Sequence, residues 1–202
     1  MSISTTYPNG QVLVSSALTQ QQINVLLQML TCGMLGINPP DPMQVRVDWQ
    51  PVGQPDVTRP SVDICYISVV TEDSDYSKIA RDRVLTGSGP VTENWNYTRN
   101  WRIAWDLYGP NSTDRARQIH SALFMDYFET QLSLQNLYPL NDPPEPARTP
   151  VEHNLQYYDH THFSVNMYEA VVETIQDSIA TSVEVKVNTD NGLVADFTVV
   201  KT

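Results

Sequence analysis

The chain has 202 residues, 41% of them hydrophobic, with 14 prolines against 8 glycines. That length fits one domain that can bury a core without disulfides or metals. The formal net charge of −11 argues against a general nucleic-acid surface, which needs concentrated Lys and Arg. The acid is concentrated in 134–202, where ten Asp and Glu stand against Arg148, Lys186 and Lys201. The nearest approach to a basic run, Lys78, Arg81 and Arg83, is surrounded by Glu72, Asp73, Asp75 and Asp82.

Residues 1–18 lack sustained periodicity and read as an N-terminal arm, with neither the basic nor the apolar region of a secretory signal. A single α+β domain is expected over 19–202. Thr19 and Gln22 have capping-box spacing, and Ile23, Leu26, Leu27 and Leu30 form one helical stripe that Gly33, Gly36 and Pro39-Pro40 terminate. Val45, Val47 and Trp49 alternate with Arg46 and Asp48 as a half-buried strand, and the Pro-rich stretch 51–60 reads as a linker. Residues 62–71 are rich in β-branched and aromatic types and read as a more central strand. The polar stretch 73–96 is expected to be a long loop or an extended hairpin, a length usually associated with function.

Residues 97–109 form the clearest strand, with Trp101, Ile103, Trp105 and Leu107 on one side. Gly109-Pro110 ends it, and Asn111 is placed to cap a helix with Asp114 at its third position. Ala116, Ile119, Leu123 and Tyr127 predict one stripe on that helix, widened by Phe124 and Phe128. After a Pro-rich link at 142–146, Phe163, Val165, Met167, Val171 and Ile175 predict a long strand over 160–175. Val183, Val185 and Val187, the turn Thr189-Asp190-Asn191-Gly192 and residues 193–200 predict a C-terminal hairpin. No stretch approaches the roughly 18 continuous apolar residues of a membrane span, so no membrane partner is expected.

The most chemical-looking cluster is Asp159-His160-Thr161-His162, with His153 nearby. On a strand His160 and His162 share a face, which suits two metal ligands, but no third ligand stands at a characteristic spacing. Polar strand-edge residues are the better reading, and no metal or cofactor is expected. A nucleophile elbow is absent, and Ser121 directly follows His120, so on a helix the two side chains diverge by about 100°. Cys32 and Cys65 lie in apolar runs, as buried inert thiols do. Gly87-Ser88-Gly89 lacks the rest of a phosphate loop, and Glu72, Asp73 and Asp75 read as a solvated acidic loop. No catalytic residue emerges, and a non-enzymatic protein is expected. Exposed aromatics favour interfaces, so Trp95, Tyr97 and Tyr108, with Lys78, Arg81 and Arg83, are the interface candidates.

A capped N-terminal helix precedes strands; a tryptophan-rich strand ends at Tyr108-Gly109 and runs into the helix of Asp114-Arg115-Ala116-Arg117-Gln118-Ile119; then Phe163-Ser164-Val165-Asn166-Met167 leads through Ile175 to Val183-Glu184-Val185. Over roughly residues 19–188 this order resembles the tail terminator and neck proteins of tailed bacteriophages. The resemblance implies an α+β fold, a mixed or mainly antiparallel sheet packed against two helices. It also implies a ring, usually of six subunits, that caps the tail tube and joins it to the head connector, with no active-site residues to carry over. The expected location is the virion's head–tail junction, after assembly in the host cytoplasm. The alternatives are another connector or baseplate-proximal subunit, a plain adaptor without a ring, or a small metal-dependent hydrolase using His153, His160 and His162.

Overall fold

The computed structural model describes residues 3–7, 11–38, 41, 44–47, 62–72, 80–84, 91–139, 143–153, 156–177, 182–189 and 192–200. Within the expected arm, β1 (Ile3–Thr6) and β2 (Val12–Ser15) form an antiparallel hairpin. The helix α1 (Gln20–Met34) starts where the capping box predicts: Thr19 accepts from the Gln22 amide, and Gln22 accepts from the Thr19 amide. Gly36 then adopts a φ of +70°, which turns the chain out of the helix at no steric cost. Next come β3 (Val45–Val47), β4 (Ile64–Glu72), β5 (Ala80–Val84) and β6 (Val91–Tyr108). Trp49, the linker at 51–60, Lys78 and Gly87-Ser88-Gly89 lie outside the described residues.

The helix after Gly109 differs from its prediction in two ways. It is broken, with α2 (Ser112–Ala122) followed by α3 (Asp126–Ser133). Met125 is extended between them, and Asp126 and Glu129 favour a new N-terminus through the helix dipole. Tyr127 therefore leaves the predicted stripe and is exposed, while the break turns Leu132 into the core. The Asn111 side chain also makes no cap bond; its amide donates instead to Asp63 Oδ2 at 2.9 Å, and its backbone N–H to Asp63 Oδ1 at 3.0 Å. The carboxylate of Asp63 outcompetes the local turn of backbone.

The chain continues through β7 (Leu137–Pro139), β8 (Ala147–Arg148), β9 (Val151–His153), β10 (Gln156–Tyr158), β11 (His160–Asp177), β12 (Ser182–Thr189) and β13 (Gly192–Val200). The main sheet runs β1-β2-β11-β6-β4-β3 and is antiparallel except for the β3–β4 pair. It is the α+β architecture expected, with the third short helix added. β6 and β11 pair over all eighteen residues, from Val91 opposite Asp177 to Tyr108 opposite His160. At about 3.3 Å per residue that ladder is roughly 60 Å long. β4 and then β5 flank β6, while β8, β7 and β2 succeed one another along the outer edge of β11.

The core occupies one half of this ladder. Trp101, Ile103, Trp105 and Leu107 meet Phe163, Val165 and Met167 beneath Ile23 and Leu27 of α1 and Ala116 and Ile119 of α2. Trp105 stacks on Phe163 at 4.9 Å, and its indole N–H donates to Thr31 Oγ at 3.1 Å, so the buried ring leaves no donor unsatisfied. Each such buried side chain contributes about 1.5–3 kcal/mol. Both cysteines are buried and free. No described helix is long and apolar enough to cross a membrane.

Candidate assembly surfaces

The boundary between the covered and uncovered halves of the ladder is an ionic junction. Glu169 fills the inward slot between Met167 and Val171, where the strand alternation otherwise places apolar residues, and it is 1% exposed. It accepts from Arg99 Nε at 2.8 Å and Nη2 at 2.5 Å, from Trp101 Nε1 at 2.7 Å and from the Leu18 backbone N–H at 2.6 Å. Arg99 Nη2 also donates to the Leu18 carbonyl at 2.6 Å, and its guanidinium lies 4.4 Å from the centre of the Trp101 ring. Both backbone groups of Leu18 are thus held by one ion pair. Sequence reasoning missed this site. The available signal was an acid in an inward position, which a folded chain tolerates only when paired.

Beyond the junction the described residues no longer cover the ladder. Among residues 92–99 none is buried, and among 170–176 only Val171 is. The core cluster stops at Trp101 and Met167. This outer half is a blade of β1, β2, β11, β6 and β5. Its surface is a mixture of polar groups and partly exposed aromatics. Tyr97 donates its hydroxyl to Glu173 Oε1 at 3.0 Å; burial raises the phenol's pKa above the usual range, and the carboxylate raises it further. Trp95 lies in register with Arg81, and Glu93 with Arg83, so the interface candidates Arg81, Arg83, Trp95 and Tyr97 share one end of the sheet.

The third aromatic candidate, Tyr108, sits elsewhere. It is at the other end of β6, on the face opposite the helices, stacked on His160 at 4.6 Å and edge-on to Tyr66 at 5.8 Å. His160 and His162 share that face, as their spacing predicts. Both bind Asp106 Oδ1, through Nε2 of His160 at 2.8 Å and Nδ1 of His162 at 2.9 Å, and His160 Nδ1 lies 3.1 Å from the Thr149 carbonyl. Burial alone would raise the pKa of Asp106, but the bonds and charges of the two histidines outweigh it and hold the carboxyl below its ordinary value. One nitrogen of each histidine is thus turned onto the same carboxylate. Among the described residues no group of three or more His, Cys, Asp or Glu is arranged to hold a metal. Burial chiefly pushes both Cys32 and Cys65 above the usual thiol range, so neither is an activated nucleophile. His120 bonds the Pro143 carbonyl region at 3.3 Å, and Glu72 pairs with Arg102 at 3.0 Å.

The outer side of the helical layer is a further surface. Val25 and Met29 of α1 are about half exposed, as are Phe124, Met125, Tyr127 and Leu134 around α3. α1 and α3 adjoin, since a Cβ on Gly33 would stand 3.4 Å from the Phe128 ring. Clustered exposed apolar side chains of this kind mark contact surfaces.

No curated protein sequence matches the chain. A family model described as Phage neck terminator protein matches residues 21–192, from the first turn of α1 to the start of β13, and so takes in both strands of the long ladder and all three helices. With that match over most of its length, the chain belongs to the phage neck terminator protein family.

Proposed function

We propose that this protein is a structural component of the virion's head–tail junction. Copies of it, six by the usual pattern of such proteins, form a ring that caps the tail tube and joins it to the head connector, assembling in the host cytoplasm without catalysis. The observation that carries this reading is the blade formed by the outer half of the ladder. A sheet is stabilised by burying a face against another layer. Here eight register pairs, 91–98 against 170–177, extend past the helices, and among the described residues no second layer lies over them. The free energy of covering that surface remains available to a neighbour. Trp95 and Tyr97 on β6, with Arg81 and Arg83 on β5, supply the residue types that dominate protein contacts, and Lys78 precedes them in the sequence. Tyr108 sits at the opposite end of the same strand, so the ladder spans two separate contacts, one at each end.

Electron microscopy of purified particles carrying a tagged copy tests this directly. Label at the neck, together with rings in the purified protein, is the expected result. Label confined to the baseplate, or absence from particles, overturns it. Trp95→Ala combined with Tyr97→Ala is expected to lower the yield of joined particles at least tenfold while leaving the subunit folded.

A further inference from the structure

Past the Glu169 junction the two faces of the blade differ in charge. Strand alternation puts Glu93, Trp95, Tyr97 and Glu173 on the face that continues the core side. The bonds from Tyr97 and Ser15 to Glu173 Oε1, at 3.0 and 3.2 Å, bear this out across β6, β11 and β2. The opposite face takes the even positions, 92–98 of β6 and 170–176 of β11. Register carries Val12 and Val14 of β2, and Ser4 and Thr6 of β1, onto the same side. Across these four strands that face holds no Asp, Glu, Lys, Arg or His. The first acid that register brings to its rim is Asp82, opposite Asn94 on the edge strand β5.

The side chains on this face are of two kinds. Val172 is 47% exposed, and Val12 and Val14 lie on the neighbouring strand. The rest are mostly amides and hydroxyls. Asn96 and Gln176 are exposed, and Thr174 Oγ donates to Asn94 Oδ1 at 3.0 Å, which holds that amide across the strands. Each amide or hydroxyl carries a donor and an acceptor together, so such a surface can satisfy a copy of itself with no matching of charge. Among the described residues no layer lies over it.

We infer that this uncharged face is a contact by which two copies of the chain pack back to back about a twofold axis. The charge distribution selects that occupant. Two chains of net charge −11 repel, so a contact between them belongs where neither carries charge. A charged partner would be met by opposite charges, and this face supplies none. Sheets packed face to face stand about 10 Å apart, near enough for the valines to lose their water and the amides to bond across. A patch that meets its own copy makes a closed pair. The contact lies on the side of the blade away from Trp95 and Tyr97, so it goes beyond the ring reading. It doubles whatever the rest of the chain builds, a lone subunit into a dimer or one ring into two.

Two full-length variants of opposite charge test it: Asn96→Asp with Gln176→Glu, which keep the side chains' shapes, and Asn96→Lys with Gln176→Lys. None of these positions lies in the core cluster, and thermal unfolding is followed for each variant. Light scattering after size exclusion is expected to give each variant alone half the mass of the wild-type species at the same concentration. An equimolar mixture is expected to recover the full mass, because the twofold axis then sets acids against lysines. Variants that keep the wild-type mass, or a mixture no heavier than its parts, overturn the inference and leave the ring standing. A wild type of 22.8 kDa at every concentration overturns it too. If the lysine pair does not fold, the shape-keeping pair decides alone, half mass supporting the inference and unchanged mass overturning it. A wild type that stops at two chains, with variants of one, upholds this contact and counts against the ring.

Discussion

Replacing Glu169 by Gln keeps the side chain's shape and removes its charge. With its oxygen in the place of Oε2 the amide still accepts from Arg99 Nε, Arg99 Nη2 and Trp101 Nε1, while its NH2 group confronts the Leu18 N–H donor and no longer carries the charge that Arg99 needs. The acid is 1% and the arginine 26% exposed, so water reaches only the arginine side. Breaking one partner of a buried ion pair costs about 3–5 kcal/mol, much of it from the polar groups left behind. That is a large fraction of the ~5–15 kcal/mol that holds a domain folded. At roughly 2–4 °C per kcal/mol for a chain of this size, Tm falls by about 6–20 °C. Urea unfolding followed by tryptophan fluorescence measures it, with Trp101 reporting from inside the network. Removing both charges with Glu169→Met and Arg99→Met is expected to be less damaging than Glu169→Met alone, because no charge is then stranded. A Glu169→Gln midpoint within about 1 kcal/mol of the wild type would refute the reasoning.

Three other outcomes follow from single contacts. Thr19→Ala removes one arm of the capping box and is expected to cost about 1 kcal/mol in the same urea assay. Gly109 holds a φ of +116°, and a Cβ there would stand 2.7 Å from the Val62 carbonyl and 2.8 Å from Asp63 Cα. Gly109→Ala should therefore cost on the order of 3 kcal/mol, through strain and overlap with backbone, and a stability close to the wild type's would count against the assigned turn. Asp106 has a pKa lowered in the folded chain, so its stabilisation is present above the ordinary carboxylate range and is lost as pH falls through it. Asp106→Asn is expected to be less stable at neutral pH and to show a shallower loss of stability on acidification; an acid limb as steep as the wild type's would contradict this.

The parts of the fold that were legible rested on local physics. The capping box at Thr19, the stripe of Ile23 and Leu27, and the alternation of Trp101, Ile103, Trp105 and Leu107 each specify an element within a dozen residues. The C-terminal hairpin was legible because its turn and its valines agree. Competition between partners defeated the other predictions. The Asn111 cap lost to Asp63, 48 residues away, and the α2 stripe read continuously through Tyr127 although two acidic residues start a new helix there. β1 carries a single apolar residue, and β2, though Val-Leu-Val-Ser, is only four residues long; β2 gains its structure by adding to β11, some 160 residues later, and β1 by adding to β2. Among the interface candidates, Trp95 and Tyr97 fall together on the outer blade, whereas Tyr108 joins a histidine face that spacing alone could pair but not furnish with Asp106.

The long separation at Leu18 decides when the groove along α1 is complete. Leu18 lines the groove along α1, and its backbone is held by Glu169 and Arg99, residues 151 and 81 positions away. The groove's wall is therefore complete only after β11 has paired with β6, which is among the last contacts a growing chain can make. Non-local contacts of this kind form slowly, because a long loop must close before they are rewarded. A nascent chain thus offers an apolar α1 but not the finished groove. On that account Glu169→Gln, at temperatures where it remains folded, is expected to speed hydrogen exchange at the Leu18 amide, although Glu169 itself does not line the groove.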